Sequence, residues 1–264
     1  MTVLIDLRTI EPEGVIAWLG ALRNAAAQGA EAQSPLLTAW QAARLTPAEA
    51  RQLGAQAAVT VPDFLHYARL LNTGQAATLL GLSGSVTRVA WAALRAALVV
   101  APRPHLAVGK DFWLVARALA AYDLALLPRG FCGAVMLHPY LSDFAFAFER
   151  RDFVAWFLQA AGKGRAAGVH TQQLPLALSC LARWGLRPGC CAFLCPPSGE
   201  GVAPALEAGR REEVFQACRF IGDLTSLPAD LQSAALSAGW AEPPLDGVLC
   251  GPRHARARTT RLSS

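Results

Sequence analysis

Hydrophobic and polar positions change their period along this chain, and the changes mark out its elements. At the N-terminus TVLIDLRT is a short β-rich run, and the following EPEGVIAWLGALRNAAAQ sets Val15, Trp18, Leu19 and Leu22 at helical spacing. Residues 1–29 thus read as one strand–helix unit. Residues 30–97 are Ala-rich and helical, with no convincing strand. Within them Thr46-Pro-Ala-Glu49 and Thr60-Val-Pro-Asp63 each place a hydroxyl three residues before an acid. Such pairs start helices because the two side chains satisfy free N–H groups of the first turn. The expectation is an inserted helical segment. From Leu98 short apolar runs alternate with helical periods: LVVAP (98–102), CGAVML (132–137), AAGVH (166–170), CCAFLC (190–195), VFQACRFI (214–221) and DGVLC (246–250). Between them helices are expected to begin near Asp111, Ser142, Leu174, Ala203 and Ser226. Strands alternating with helices pair in parallel through crossovers, which makes the fold class α/β. With the N-terminal unit, the count approaches the eight of a TIM-like (β/α) barrel. The expected organisation is a first βα unit at 1–29, a helical insertion at 30–97, barrel units over 98–253 and a basic tail at 254–264. A doubly wound sheet is the alternative, but no GxGxxG follows any run.

Composition narrows the class. Of 264 residues 53% are hydrophobic and 16% charged, which excludes disorder over most of the length. A mean hydropathy of +0.31 raises the question of a membrane. The longest uncharged stretches, Leu70–Thr87 and Ala166–Ala182, are broken by Asn, Gln, Gly, His, Thr and Ser, so no apolar span of about 20 residues forms. No basic start precedes the N-terminal apolar run, so no targeting signal is expected. Seven Cys, an odd number without paired CxxC spacings, argue against a disulfide framework or a zinc ribbon. A reducing cytoplasm is the expected location. The net charge of +5 is mostly Arg253, Arg256, Arg258 and Arg261, while the rest holds 20 basic against 19 acidic residues. That is the pattern of a solvated end, and nucleic acid is not an expected partner. Lys110 and Lys163 are the only lysines, so any Schiff-base chemistry would need one of them.

Candidate chemistry gathers where the runs end. These ends read Pro102-Arg103-Pro104-His105, His138-Pro139-Tyr140, His170-Thr171-Gln172-Gln173, Cys195-Pro196-Pro197 and Gly251-Pro252-Arg253. In a (β/α) barrel the C-terminal strand ends open onto one face, where active sites sit, so three of the five His would share a mouth with an Arg and a Tyr. His138, His170 and Cys195 could form a His2Cys metal set for a metal-dependent hydrolase, against the plainer reading of Cys195 as a buried thiol. Asp143 could orient an imidazole, or cap the next helix with Ser142, which is the favoured reading. TGQAATLLGLSGSVTRVAWAALR resembles a helix-turn-helix, with Ala77, Gly81, Leu82, Ser83, Thr87, Arg88 and Trp91 in its positions. Val86 falls one place out of step there, and a helical hairpin covering the barrel is expected instead. Phe144, Phe148, Phe153, Trp156 and Phe157 read as helix packing rather than a flavin platform, and Gly162-Lys163-Gly164-Arg165 as a helix end rather than a phosphate cradle.

Four segments resemble the aldo-keto reductase superfamily. YDLALLPRGFCGAVMLHPY is similar to its helix and fourth strand ending in His-Pro, and RAAGVHTQQLPLALSCLARWGLRPG to its fifth-strand unit. LPADLQSAALSAGWAEPPLDGVLCGPR resembles its last helix and eighth strand, and VLIDLRTIEPEGVIAWLGALRNA its second-strand unit. The likeness covers residues 1–25 and 98–253. It implies Asp6 as the catalytic Asp, His138 as the His that polarises the carbonyl, and Gly251 and Arg253 as contacts to NADP. The family's Tyr has no counterpart in Thr9–Gly14, and Arg103 stands where its Lys would be. Tyr140 would replace the missing proton donor only if the loop after His138 folds back, and His170 completes the pocket. The implied function is an oxidoreductase acting on a small carbonyl compound. The alternative is a non-catalytic barrel that uses the insertion or the Arg-rich tail for interactions, which the missing Tyr and Lys would fit.

Overall fold

The computed structural model describes residues 2–8, 15, 17, 18, 20, 33–53, 57–63, 67, 85–105, 111–195, 202–228, 231, 232 and 245–251. Eight strands close into an all-parallel barrel in sequence order: β1 (Thr2–Asp6), β2 (Gln33–Thr38), β3 (Ala58–Val61), β4 (Ala134–Leu137), β5 (Ala167–Thr171), β6 (Cys190–Leu194), β7 (Arg219–Asp223) and β8 (Gly247–Cys250). β8 pairs with β1, so no edge is left open. The helices around it are α1 (Ala39–Ala43), α2 (Pro47–Leu53), α3 (Val86–Val100), α4 (Phe112–Leu126), α5 (Pro139–Ala147), α6 (Arg151–Ala161), α7 (Leu174–Trp184) and α8 (Val202–Arg211). This is a TIM-like (β/α)8 barrel. No helix among the described residues is long and apolar enough to cross a membrane.

Two expectations are corrected. Residues 30–97 are not a helical insertion, because they supply β2 and β3. Both strands are short and buried on both faces, so they carry no alternation to set them apart from the surrounding Ala-rich helical sequence. The run 98–102 is not a strand. It ends α3, which Ser85 caps by accepting a hydrogen bond from Arg88 N–H. Arg103 and His105 consequently lie exposed on the connection between α3 and α4. The β3–β4 connection carries two helices; α3 lies against α4 and leaves Trp91, Leu94 and Leu98 in solvent. In the helix-turn-helix reading Ala77, Gly81, Leu82 and Ser83 lie outside the described residues, and Arg88 spends its guanidinium on the Ala43 carbonyl. Of the aromatic residues read as packing, Phe153 and Phe157 are fully buried and Trp156 is partly buried against the core, whereas Phe144 and Phe148 stand exposed and stack on each other with centroids 6.0 Å apart.

The barrel has two apolar shells. Val3, Ile5, Val59, Val135, Val169, Phe193 and Val248 face outward under the helices, while Leu4, Leu36, Ala58, Met136, Ala192, Ile221 and Leu249 fill the interior. The register then fixes which inward side chains share a level. Asp6 pairs with Leu36 and Leu36 with Ala58, two residues before Thr60. Thr60 leads through Met136 to Gly168, two before His170. His170 leads through Ala192 to Ile221, two before Asp223, and Asp223 through Leu249 to Leu4, two before Asp6. Four such offsets amount to the shear of about eight that lets alternate strands stack four side chains per layer. Leu36, Met136, Ala192 and Leu249 form one greasy layer. Immediately above it, toward the C-terminal ends, lie Asp6, Thr60, His170 and Asp223.

Candidate active site at the barrel mouth

That upper layer is polar all round. His170 and Asp223 are 2% and 4% exposed, and the His170 Nε2–H donates to Asp223 Oδ2 over 2.9 Å. Asp223 also accepts from the backbone N–H and hydroxyl of Thr225, at 2.9 and 2.6 Å. Burial pushes the Asp223 carboxyl up, but the hydrogen bond and charge of His170 and the bonds from Thr225 together hold it below the usual range. Across the layer Asp6 accepts Arg8 Nε at 2.9 Å, Arg8 Nη2 at 2.8 Å and the Arg8 backbone N–H at 3.0 Å. Burial opposes the Arg8 charge, yet Asp6, with Asp223 and Asp63 beyond it, keeps the guanidinium pKa raised. Thr60 completes the layer, and both its hydroxyl oxygen and His170 Nδ1 are buried with no hydrogen-bond partner among the described residues.

His138 stands one level higher, just past β4, with its backbone N–H on the Val61 carbonyl at 2.8 Å. Its imidazole pKa is pushed down to about 3 by burial, then by the charge of Arg8 and by its electrostatic interaction with His170. The ring is therefore neutral at physiological pH and can donate a hydrogen bond without carrying charge. The Tyr140 ring lies 5.3 Å from it, centroid to centroid, in an exposed position at the rim.

Two supports brace the mouth. Asp143 does not orient an imidazole: it accepts from the Thr171 hydroxyl and from Gln172 N–H at 3.1 Å, tying α5 to the end of β5. Ser142 is not the cap either. α5 starts at Pro139, and the Ser142 hydroxyl donates back to the Leu137 and His138 carbonyls at 3.3 Å. On the other side the fully buried Asp123 of α4 accepts from Asp63 N–H at 2.8 Å and from the Tyr67 hydroxyl at 2.5 Å. Burial pushes its pKa up to about 7.

Of the residues expected at a shared site, Asp6, His138 and His170 do line the mouth, and Gly251 follows β8 at its edge. Arg103 is excluded by its place on an outer connection, and Arg253 lies outside the described residues. The His138, His170 and Cys195 metal set does not form. Cys195 faces outward with Phe193 under the helices, whereas both imidazoles belong to the interior, and no group of metal-binding side chains occurs among the described residues. Of the positions expected to meet a nicotinamide cofactor, Gly251 gives its N–H to Gln232 Oε1 at 3.2 Å, and Asp6 is paired with Arg8. Arg8, Thr60 and Asp223 were not anticipated. All three follow the strand period, each standing two residues beyond an inward-facing residue of its strand. Compared with family models, with curated proteins and with solved structures, the chain matches none.

Proposed function

We propose that the mouth is the active site of an enzyme that moves a proton on a small carbonyl compound. The carrying observation is the buried His170–Asp223 pair beneath a neutral His138. In this reading His170 Nδ1 takes the proton from the carbon next to the carbonyl, while Asp223 orients the ring and balances the imidazolium that forms. The electron pair left by the C–H bond moves onto the carbonyl oxygen. His138 donates a hydrogen bond to that oxygen, and the Arg8 charge, partly offset by Asp6, favours the developing oxyanion. Returning the proton closes the cycle with no net gain or loss of electrons. No step runs through NADP.

The test is exchange of α-protons of small ketones for deuterium in heavy water, followed by proton NMR. Wild-type protein should accelerate exchange above buffer, and His170→Asn and Asp223→Asn should each lower the rate by about a hundredfold or more while remaining folded. Unchanged exchange in His170→Asn overturns the reading. Saturable NADPH binding that weakens in Arg253→Ala would instead favour reduction of the same carbonyl, with His138 again on its oxygen.

A further inference from the structure

Two buried polar atoms in the floor layer have no hydrogen-bond partner among the described residues, the Thr60 hydroxyl and His170 Nδ1. His170 Nδ1 is accounted for by the proton transfer proposed above, and this inference rests on that reading. Thr60 is not. Its side chain is 2% exposed, it faces the barrel interior on the same level as His170, and the layer beneath it is entirely apolar. A buried hydroxyl without a partner costs stability that valine, of the same shape, would not. A residue kept at such a cost in the floor of a polar mouth is one that waits for a ligand atom.

We infer that Thr60 holds a hydroxyl group of the substrate, carried by the carbon that loses its proton to His170, so that the compound is an uncharged α-hydroxycarbonyl. The chemistry of the layer selects this group. Arg8 offsets Asp6, but Asp223 keeps a carboxylate beside His170, so a carboxylate or phosphate on the carbon facing His170 would be repelled. A hydroxyl both donates and accepts, which matches the Thr60 Oγ–H and its lone pairs. The arrangement also orders the three reacting positions: carbonyl oxygen toward His138 and Arg8, C–H toward His170, hydroxyl on Thr60. Proton removal from that carbon yields an enediolate; return of the proton to the same carbon balances, and return to the other carbon balances when the hydroxyl proton passes to the former carbonyl oxygen.

Hydroxyacetone and butanone test this as an isosteric pair bearing a hydroxyl or a methyl on the reacting carbon, and pyruvate, which carries a carboxylate on its carbonyl carbon, tests whether an anion is admitted. In heavy water the wild-type protein should exchange the hydroxymethyl protons of hydroxyacetone in preference to its methyl protons, by about tenfold or more, and should leave pyruvate unchanged. Thr60→Val should erase that preference and bring hydroxyacetone to the level of butanone, while Thr60→Ser restores it. Equal exchange at both ends of hydroxyacetone, a preference that survives Thr60→Val, or faster exchange of pyruvate overturns the inference. If no ketone exchanges, ligand-observed NMR still decides the two claims separately. Hydroxyacetone bound more tightly than butanone, with the difference lost in Thr60→Val, keeps the hydroxyl site and overturns the proton transfer. Equal binding of the two, or none, overturns the hydroxyl site.

Discussion

At the residue scale the mouth is governed by where charge is tolerated. His138 sits close to Arg8 and within the field of His170, and its burial alone already disfavours a second positive charge. Its folded pKa of about 3 lies below the ordinary imidazole value of 6.5, so between these limits the unfolded chain binds more protons than the folded one. Stability is therefore expected to fall as pH drops from 6.5 toward 3. In His138→Gln that part of the acid sensitivity should vanish, as read from urea midpoints at pH 4 and pH 7. Asp123 has the opposite sign. Its carboxyl is raised from 3.8 to about 7, the folded state holds the extra proton, and stability should decline as pH rises across that window. Asp123→Asn should flatten the decline, and a slope that survives the substitution would place its origin elsewhere. Thr60→Val removes an orphaned hydroxyl and is expected to leave the melting temperature unchanged or raise stability by about 1 kcal/mol, even as it alters substrate preference.

Among the elements, the same local signal had two fates. Thr46 and Glu49 do form a reciprocal cap, with Thr46 N–H on Glu49 Oε2 at 2.9 Å and Glu49 N–H on the Thr46 hydroxyl at 3.2 Å, and α2 starts there. Thr60 and Asp63 show the same spacing, yet Thr60 lies in β3. Pairing with β2 and β4 on either side outweighed a cap worth about 1 kcal/mol. α4 was legible because Asp111 caps it through Leu114 N–H at 2.7 Å, and β4, β5, β6 and β8 because turn residues bound each short apolar run. α3 was half misread, since its last residues are β-branched and its packing on α4 leaves few side chains buried to reveal a period. Strand contacts also set individual residues. A Cβ at Gly168 would fall 2.2 Å from the Cys190 carbonyl oxygen and 2.3 Å from its sulfur. Gly168→Ala should push β5 from β6, lower stability by about 1–3 kcal/mol in thermal or urea unfolding, and disturb His170 two residues on. A Gly168→Ala variant as stable as wild type would contradict the close approach.

Across the whole molecule, repeated alternation of apolar runs and helical periods was enough to indicate a parallel barrel, because crossover geometry leaves few other ways to bury such runs on both faces. The His at two run ends were visible as a shared site on the same grounds. Which partners they meet was not visible. Asp6 and Asp223 are brought into one layer with His170 and Thr60 only by the closure of β8 on β1 and by the accumulated shift of register around the ring. That shift is a property of the closed sheet, spread over eight pairings, and no stretch of chain encodes it locally. Cys195 and Arg103 show the converse. Both end apolar runs, but one faces outward by strand parity and the other terminates an outer helix, so neither reaches the mouth. Local order in the chain thus sets the type of most elements, while long-range pairing assigns two hidden strands, the facing of each terminal residue and the company that each imidazole keeps.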